Sequence, residues 1–459
     1  MCVPFQSSEC LFSFSIKRTS ERQPSDDCLL FSYEPCFHKG CKYCVSHRHR
    51  MKSLDSVLES IERSYDDIVS HMIGMIRIPA IAPVNGGSGE SEKADYLATK
   101  LTGFDSVERV DVPDELDPSV MRSNILAKKN GKKPGTVWVV SHIDVVPTGD
   151  ESFWDTPPFD PVLKDGKIYG RGTEDNGQSV ISSLFAAYQF PKGELEGMSL
   201  GLAFVADEET TSKMGIQYLL DRGCFSVNDI ILVPDWGSPN GSMIEISEKS
   251  LIWLKFKIHG KTAHGSTPDE GINAYRVSTA LLTDLLETFP KEFPDRDEVF
   301  MPSVSTFEPT KRIATVENIN TIPGYDEFCM DIRVLPHYSV DDVLEVARMV
   351  ADRHSERTNA KIEVEEVQRH VSGRMSSVET CGFAALSDAV TFVTGSRPKA
   401  VGVGGGTCAN FFREKGMDAY VWQSGGGTLH APNEYVPVEN IILDSKVFAT
   451  VFYNLCYKP

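Results

Sequence analysis

The spacing of apolar residues divides the chain from residue 54 to 247 into helices and strands. Between Leu54 and Ile76 apolar residues recur at helical spacing, and residues 91–101 form a second helical segment. Apolar, β-rich runs then alternate with helices. The predicted strands lie at 107–112, 124–127, 136–140, 199–205 and 230–233, and further helices at 178–188 and 215–221. This alternation is typical of a mainly parallel sheet with helices on both faces, so we predict an α/β fold.

The pattern changes at residue 248. Residues 251–259 alternate apolar and polar side chains, as a half-exposed strand does. Helical segments at 274–289 and 340–353 follow, with strand-like runs at 303–307, 327–334 and 361–367. The order β-α-β-β-α-β is that of a ferredoxin-like unit. We therefore predict an inserted α+β domain at 248–367, within a first domain formed by 51–247 and 368–459.

Acidic residues outnumber basic ones by 65 to 46, which gives a formal net charge of −19. Such a surface repels nucleic acids and anionic membranes, so we expect neither as a partner. No apolar run reaches the roughly eighteen residues needed to span a bilayer. The first residues lack the basic and then apolar order of a secretory signal, and we expect a cytoplasmic protein.

The first 50 residues differ in composition from the rest. They hold six of the eleven cysteines, and Cys36, Cys41 and Cys44 lie close to three histidines. This spacing is compatible with a zinc site or, less well, with an iron–sulfur cluster, for which a fourth nearby cysteine is missing. We favour a disordered extension, because helical periodicity starts only after Met51, which is our predicted natural start.

Side chains that bind divalent metals follow the predicted parallel strands. His142, Glu209 and Asp235 each come just after such a strand. Because open α/β sheets place their sites at the carboxyl ends of the strands, we expect these side chains to lie close together. With Asp175 and His430 they form a set of two imidazoles and three carboxylates. That set suits two zinc ions about 3.5–4 Å apart, with Asp175 as the bridging ligand.

Two further acids next to these ligands have different expected roles. Asp144 lies two residues past His142 on an extended segment, so we expect its carboxylate to accept the other ring N–H of that histidine. Glu208 precedes Glu209 and points elsewhere, which suits a general base facing the metal-activated water. We expect the third acid of that run, Asp207, in an exposed loop.

Several motifs together resemble one known family. They are His142-Ile-Asp144-Val-Val-Pro, Gly170-Arg-Gly-Thr-Glu-Asp175, Glu208-Glu209, Asp235 and His430-Ala-Pro-Asn. In this order, from about residue 55 to the end, they resemble the di-zinc hydrolases that include acetylornithine deacetylase, succinyl-diaminopimelate desuccinylase, aminoacylase and carboxypeptidase G. The resemblance implies a zinc-exopeptidase-like fold with the inserted domain as a lid. It also implies the metal ligands: His142 with Asp235 on one ion, Glu209 with His430 on the other, and Asp175 between them. Zinc is not distinguished from cobalt or manganese.

The resemblance extends into the predicted lid. His264 matches a histidine that reaches the site of a partner subunit and stabilises the oxyanion, which implies a homodimer formed through the lid. Asn320 and Arg333 match positions that bind the substrate carboxylate. Gly405 and Thr407 match a Gly-Gly-Thr loop that lines the substrate pocket through backbone N–H groups. No lysine follows this loop, which argues against nucleotide binding.

These observations predict an amidohydrolase that removes an acetyl or succinyl group from an N-acyl amino acid. One departure favours an alternative, because Val-Pro-Asp235-Trp-Gly stands where such deacylases usually carry Gly-Glu-Pro. Aspartate there is closer to the dipeptidase and aminopeptidase relatives, so a di-zinc dipeptidase of the same fold is the second prediction. A non-catalytic binding protein is disfavoured, because a scaffold has no need of costly clustered carboxylates.

Overall fold

The structure, a computed structural model, describes residues 52–313, 316, 318–425 and 427–458. The strands are β1 (Ser106–Pro113), β2 (Met121–Lys129), β3 (Thr136–His142), β4 (Val162–Lys164), β5 (Lys167–Tyr169), β6 (Ser199–Val205), β7 (Ile230–Ser238), β8 (Met243–Glu248), β9 (Ser250–His259), β10 (Ala263–His264), β11 (Thr306–Ile313), β12 (Thr321–Ile322), β13 (Tyr325–Val334), β14 (Lys361–His370), β15 (Lys399–Val403), β16 (Ala419–Ser424) and β17 (Tyr435–Pro437). The α-helices are α1 (Leu54–Glu62), α2 (Tyr65–Ile76), α3 (Ser91–Lys100), α4 (Gln178–Tyr188), α5 (Tyr218–Asp221), α6 (Ala274–Glu292), α7 (Val340–Thr358), α8 (Cys381–Thr394), α9 (Ala409–Glu414) and α10 (Val438–Phe452). The predictions for the first 50 residues and for Met51 as the start lie outside the described residues.

Eight strands form the main sheet, in the order β1-β2-β6-β3-β7-β16-β8-β15. The four central strands, β6, β3, β7 and β16, run parallel to one another. His142, the last residue of β3, lies beside Val205, the last residue of β6. The carboxyl ends of these strands therefore meet at one edge of the sheet, as predicted.

Helices cover both faces of this sheet. In β3, Val137 and Val139 belong to a core shared with α1 to α4, α8 and α10. Trp138 and Val140 belong to a second core, shared with α5 and α9. Because successive side chains of a strand point to opposite faces, β3 is packed on both sides. The predicted α/β fold is confirmed.

A second sheet consists of four antiparallel strands in the order β11-β13-β9-β14. Together with α6 and α7 it encloses a core of its own, in which Phe256 and Phe328 stack with ring centroids 4.7 Å apart. Along the chain these elements follow the predicted order β-α-β-β-α-β. The short ribbon of β10 and β12 is attached to this unit. The role of the unit as a lid, with boundaries at 248 and 367, stays a prediction.

Two predicted elements differ in their bounds. The helical segment from Leu54 to Ile76 is interrupted at Arg63 and Ser64, so that it forms two helices. The strand predicted at 303–307 starts later, as β11. Among the described residues no helix is both long and apolar enough to cross a membrane. The cytoplasmic location stays a prediction.

Candidate metal centre

Five metal-capable side chains converge at the carboxyl edge of the main sheet. His142 ends β3, Asp235 lies within β7 and Glu209 follows β6. Asp175 lies in the turn before α4, and His430 lies in the loop between β16 and β17. The five predicted ligands form two groups of three, and both groups contain Asp175.

The shared aspartate lies between the two histidines. In the first group, His142 Nε2 lies 2.8 Å from Asp175 Oδ1 and 3.2 Å from Asp235 Oδ1. In the second, His430 Nε2 lies 3.1 Å from Asp175 Oδ2 and 3.2 Å from Glu209 Oε2. Asp175 therefore turns one carboxylate oxygen toward each histidine, which is the arrangement expected of a carboxylate between two ions.

The pKa values of the centre reflect the crowding of its acids. Burial, and then the charge of Asp235, raise the pKa of Glu208 well above its usual range. Burial and then Asp175 raise the pKa of Glu209 to about 7. Hydrogen bonds with Asp175 and Glu209 raise the pKa of His430 to about 10. Divalent cations would balance this negative charge, and imidazole with carboxylate is a ligand set for zinc and similar ions, so the residues fit two metals.

Asp144 supports the centre through a different atom from the one predicted. The ring Nδ1 of His142 lies 3.0 Å from the carbonyl oxygen of Asp144 and 3.6 Å from its carboxylate. A carbonyl oxygen only accepts, so Nδ1 donates its proton there and Nε2 is the ring nitrogen that would bind a metal. The carboxylate accepts the backbone N–H groups of Glu208 (3.1 Å) and Glu209 (3.0 Å). Asp144 therefore orients both the histidine and the turn that carries the two glutamates.

The prediction that Asp207 is exposed is wrong. Its side chain is fully buried, and its carboxylate lies 3.2 Å from Arg122 Nη1. Arg122, itself buried, also bonds to Glu90 (2.5 Å) and Asp114 (3.1 Å). The backbone of Asp207 is left-handed, with φ of 65°, and its carboxylate accepts the N–H of Met214 (3.1 Å). A buried ionic network thus anchors the turn that presents Glu208 and Glu209.

Replacing Arg122 by methionine should destabilise the fold by about 3–5 kcal/mol, because it leaves buried carboxylates without their cation. Urea unfolding of the metal-free protein measures this free energy. The matched control is Arg109→Met on the adjacent strand β1, where the arginine is partly exposed and its loss should cost about 1 kcal/mol or less. Equal losses in the two variants would contradict the structural importance of the network.

The predicted lid residues lie in two places. His264 pairs with Thr321 across the β10–β12 ribbon, and the carbonyl of Asn320 accepts the N–H of Gly265 (2.6 Å). His264 and Asn320 are therefore neighbours at one end of the ribbon. In the described part of the chain, His264 has no hydrogen bond or ion pair with the five metal-capable residues; its Nδ1 lies 2.8 Å from Ser266 Oγ.

Arg333 lies against the predicted substrate loop. Its guanidinium bonds to Asp331 (2.8 Å) and to the carbonyl of Gly404, next to Gly405. Thr407, in the same loop, donates its N–H (3.1 Å) and its hydroxyl (2.8 Å) to the buried Glu248. Glu248 thus holds the loop through Thr407, while Gly405 stays exposed. Substrate binding by these residues stays a prediction.

Sequence reasoning assigned no role to two acids close to the ligands. Glu174 precedes Asp175, and Glu434 lies four residues after His430. Both are buried. Their position beside metal-capable residues was the available signal, although sequence alone does not separate a buried acid from a solvated one.

The sequence matches peptidase family M20/M25/M40 over residues 138–454. An uncharacterized metallohydrolase of Methanocaldococcus jannaschii is 36% identical over 394 residues, covering 82% of this chain and 96% of that protein. The succinyl-diaminopimelate desuccinylase of Halorhodospira halophila is 23% identical over 386 residues, 83% of this chain and 96% of that protein. The dipeptidase Dug1p of Saccharomyces cerevisiae shares the fold, with a TM-score of 0.68, 18% identity, and coverage of 89% of this chain and 99% of that one. The chain therefore belongs to peptidase family M20/M25/M40 and is a metallohydrolase that acts on amide or peptide bonds.

Proposed function

We propose that this metallohydrolase removes an acetyl or succinyl group from an N-acyl amino acid, with two zinc ions in its centre. The observation that carries the proposal is Asp175, which directs one carboxylate oxygen into each of two three-residue groups. The desuccinylase relative supports the substrate class, since it aligns over most of both chains.

The metal ligands follow from the two groups. His142, Asp175 and Asp235 would hold one zinc ion, and Asp175, Glu209 and His430 the other. Zinc bound there supplies Lewis-acid activation of the amide carbonyl and of water. Cobalt and manganese accept the same imidazole and carboxylate ligands and are substitutes in this proposal.

Glu208 is the proposed general base and acid. Its backbone is held by the Asp144 carboxylate, which fixes where its side chain enters the site. Burial and the nearby Asp235 raise its pKa, so its carboxylate takes up a proton more readily than a solvated glutamate. Glu208 accepts a proton from the attacking water and then donates it to the leaving amine. Both transfers use the same side chain, which starts and ends the cycle ionised.

Residues of the second sheet and its ribbon are proposed to hold the substrate. The Arg333 guanidinium and Asn320 would bind the carboxylate next to the scissile bond, the arginine through charge-assisted hydrogen bonds from the N–H groups that Asp331 and Gly404 leave free. Gly405 would offer its backbone N–H beside them. We further propose a homodimer in which the exposed His264 of each protomer stabilises the oxyanion in its partner's site. Sedimentation velocity tests this, and a monomer at assay concentration would contradict it.

The proposed reaction is tested with metal-reconstituted protein on N-acetylornithine, N-succinyl-diaminopimelate and a panel of dipeptides, each with and without chelator. Release of acetate or succinate that chelator abolishes supports the deacylase and identifies the acyl group. Metal analysis of the protein as purified identifies the ion. Failure to hydrolyse any N-acyl amino acid would overturn the deacylase.

A di-zinc dipeptidase is the second candidate. Asp235 favours it, because an aspartate at this ligand position is closer to the dipeptidase relatives than the glutamate of the deacylases. The two reactions share every proposed step up to the departure of the amine. They differ in the acyl group, which is acetyl or succinyl for the deacylase and an amino acid for the dipeptidase. Cleavage of dipeptides alone in the same panel would establish this alternative.

A further inference from the structure

Two loops that lie far apart in sequence carry two of the five metal-capable residues. One, residues 170–175, carries Asp175, and the other, residues 428–434, carries His430. Each loop holds one buried glutamate, Glu174 in the first and Glu434 in the second. Neither side chain belongs to the two metal-binding groups.

Glu434 binds the loop of Asp175 at four points. Its Oε1 accepts the backbone N–H groups of Glu174 (2.9 Å) and of Asp175 itself (3.1 Å). Its Oε2 accepts the N–H of Gly172 (2.9 Å) and Nη1 of Arg171 (2.7 Å). An ionised carboxylate has about four acceptor positions, so this one is fully used. An amide at the same place would turn an NH₂ group toward donors.

Glu174 makes the reciprocal contact. Its Oε2 accepts the backbone N–H of Thr428 (2.9 Å) and also the Thr428 hydroxyl. Arg171, paired with Glu434, donates a further hydrogen bond to the carbonyl of His430 (3.2 Å). The glutamate of each loop therefore accepts backbone N–H groups of the other loop, at or near the metal-capable residue.

The contacts between the two loops matter because Asp175 is common to both metal-binding groups. The distances from Asp175 to both histidines are near 3 Å, so a small shift of either loop would open one of the two groups. The backbone N–H groups that Glu434 accepts are buried and would otherwise lack partners, which makes the contact costly to break.

We propose that Glu434 and Glu174 are positioning residues, whose contacts form a clamp between the loops of Asp175 and His430. The clamp fixes the two loops relative to each other and so sets the affinity of the group formed by Asp175, Glu209 and His430. They act through the backbone, and neither belongs to the two metal-binding groups. This inference rests on the metal centre of the proposed function, and not on the identity of the substrate.

The test is calorimetric titration of chelator-stripped protein with Zn²⁺, comparing wild type, Glu434→Gln and the matched control Glu439→Gln. Glu439 lies five residues further on, in the first turn of α10, and is exposed. Wild type and control should bind two ions per chain. In Glu434→Gln the group of Asp175, Glu209 and His430 should weaken by about ten- to a hundredfold, the range seen when a residue supporting a metal ligand is removed. The group of His142, Asp175 and Asp235 should weaken less, because only one of its residues lies on the two loops. Unchanged affinities at both sites would overturn the proposal.

A purely structural role would act differently. It would weaken both sites to the same extent, in step with the loss of stability of the zinc-free protein, and this outcome also overturns the proposal. If Glu434→Gln does not fold, Thr428→Val removes the hydroxyl that donates to Glu174 and that accepts the N–H of Tyr435 (3.3 Å), and it should weaken the same group to a smaller extent. Equal zinc binding by a folded Thr428→Val variant and wild type would then count against the clamp.

The outcome is separable from that of the proposed reaction. A wild type that binds two zinc ions but hydrolyses no N-acyl amino acid overturns the deacylase and leaves the titration decisive for the clamp. A wild type that binds fewer than two ions overturns the clamp together with the two-metal centre.

Discussion

Replacing Glu208 by glutamine should leave both metal ions bound and reduce kcat by about 10²–10⁴-fold, the contribution typical of a general base. Glutamine keeps the size of the side chain and the backbone N–H that Asp144 accepts, but it takes up no proton. The effect should appear in kcat, because the group acts on the proton of the attacking water rather than on substrate affinity.

The measurement is steady-state kinetics on the best substrate of the panel, with metal content determined on the same samples. Glu115→Gln is the control, since this glutamate lies on the surface and pairs with Lys213. A Glu208→Gln variant with two metals and wild-type kcat would refute the assignment of the base. Loss of metal in that variant would show instead that Glu208 is a ligand.

Replacing Asp175 by alanine should abolish binding of both ions, whereas His430→Ala should abolish only one. The reason is geometric, because Asp175 Oδ1 faces His142 and Asp175 Oδ2 faces His430. Activity should disappear in Asp175→Ala and fall severely in His430→Ala, since each ion takes part in activating the carbonyl or the water.

Metal stoichiometry after dialysis against a weak chelator measures this difference. His337→Ala is the control, an exposed histidine that pairs with Asp295 in the unit of the second sheet. Retention of one ion by Asp175→Ala would show that the two groups do not share this ligand. Equal stoichiometries in the two variants would contradict the separate sites.

Sequence patterns predicted most of the fold because apolar spacing reports burial directly. The order of strands and helices around β3 followed from that spacing, and so did the β-α-β-β-α-β unit. The break between α1 and α2 was not predicted, since Ile61 and Ile68 on either side of it keep helical spacing and are both buried. Short strands such as β15, Lys-Ala-Val-Gly-Val, were not predicted because five residues that include a glycine show no clear period.

The candidate site was likewise predicted only in part. Three of the five metal-capable residues, His142, Glu209 and Asp235, stood out because imidazoles and carboxylates directly after apolar strands are unusual. Asp175 and His430 completed the ligand set. The run Asp207-Glu208-Glu209 shows the limit of that reasoning, because three adjacent acids look equivalent in sequence. What separates Asp207 from its neighbours is Arg122, which reaches it from 85 residues away, and such a distant contact is not encoded locally.

The position of β16 between β7 and β8 has a consequence for the growing chain. β7 and β8 are complete by residue 248, but the strand that joins them in the sheet is made only at residues 419–424. Throughout the intervening synthesis both strands present unpaired edges, which favour association with other chains. The unit of the second sheet, which lies entirely within this interval, is free to fold first. Residues 419–424 close the sheet and His430 follows them, so the five metal-capable residues come together only once that strand is made.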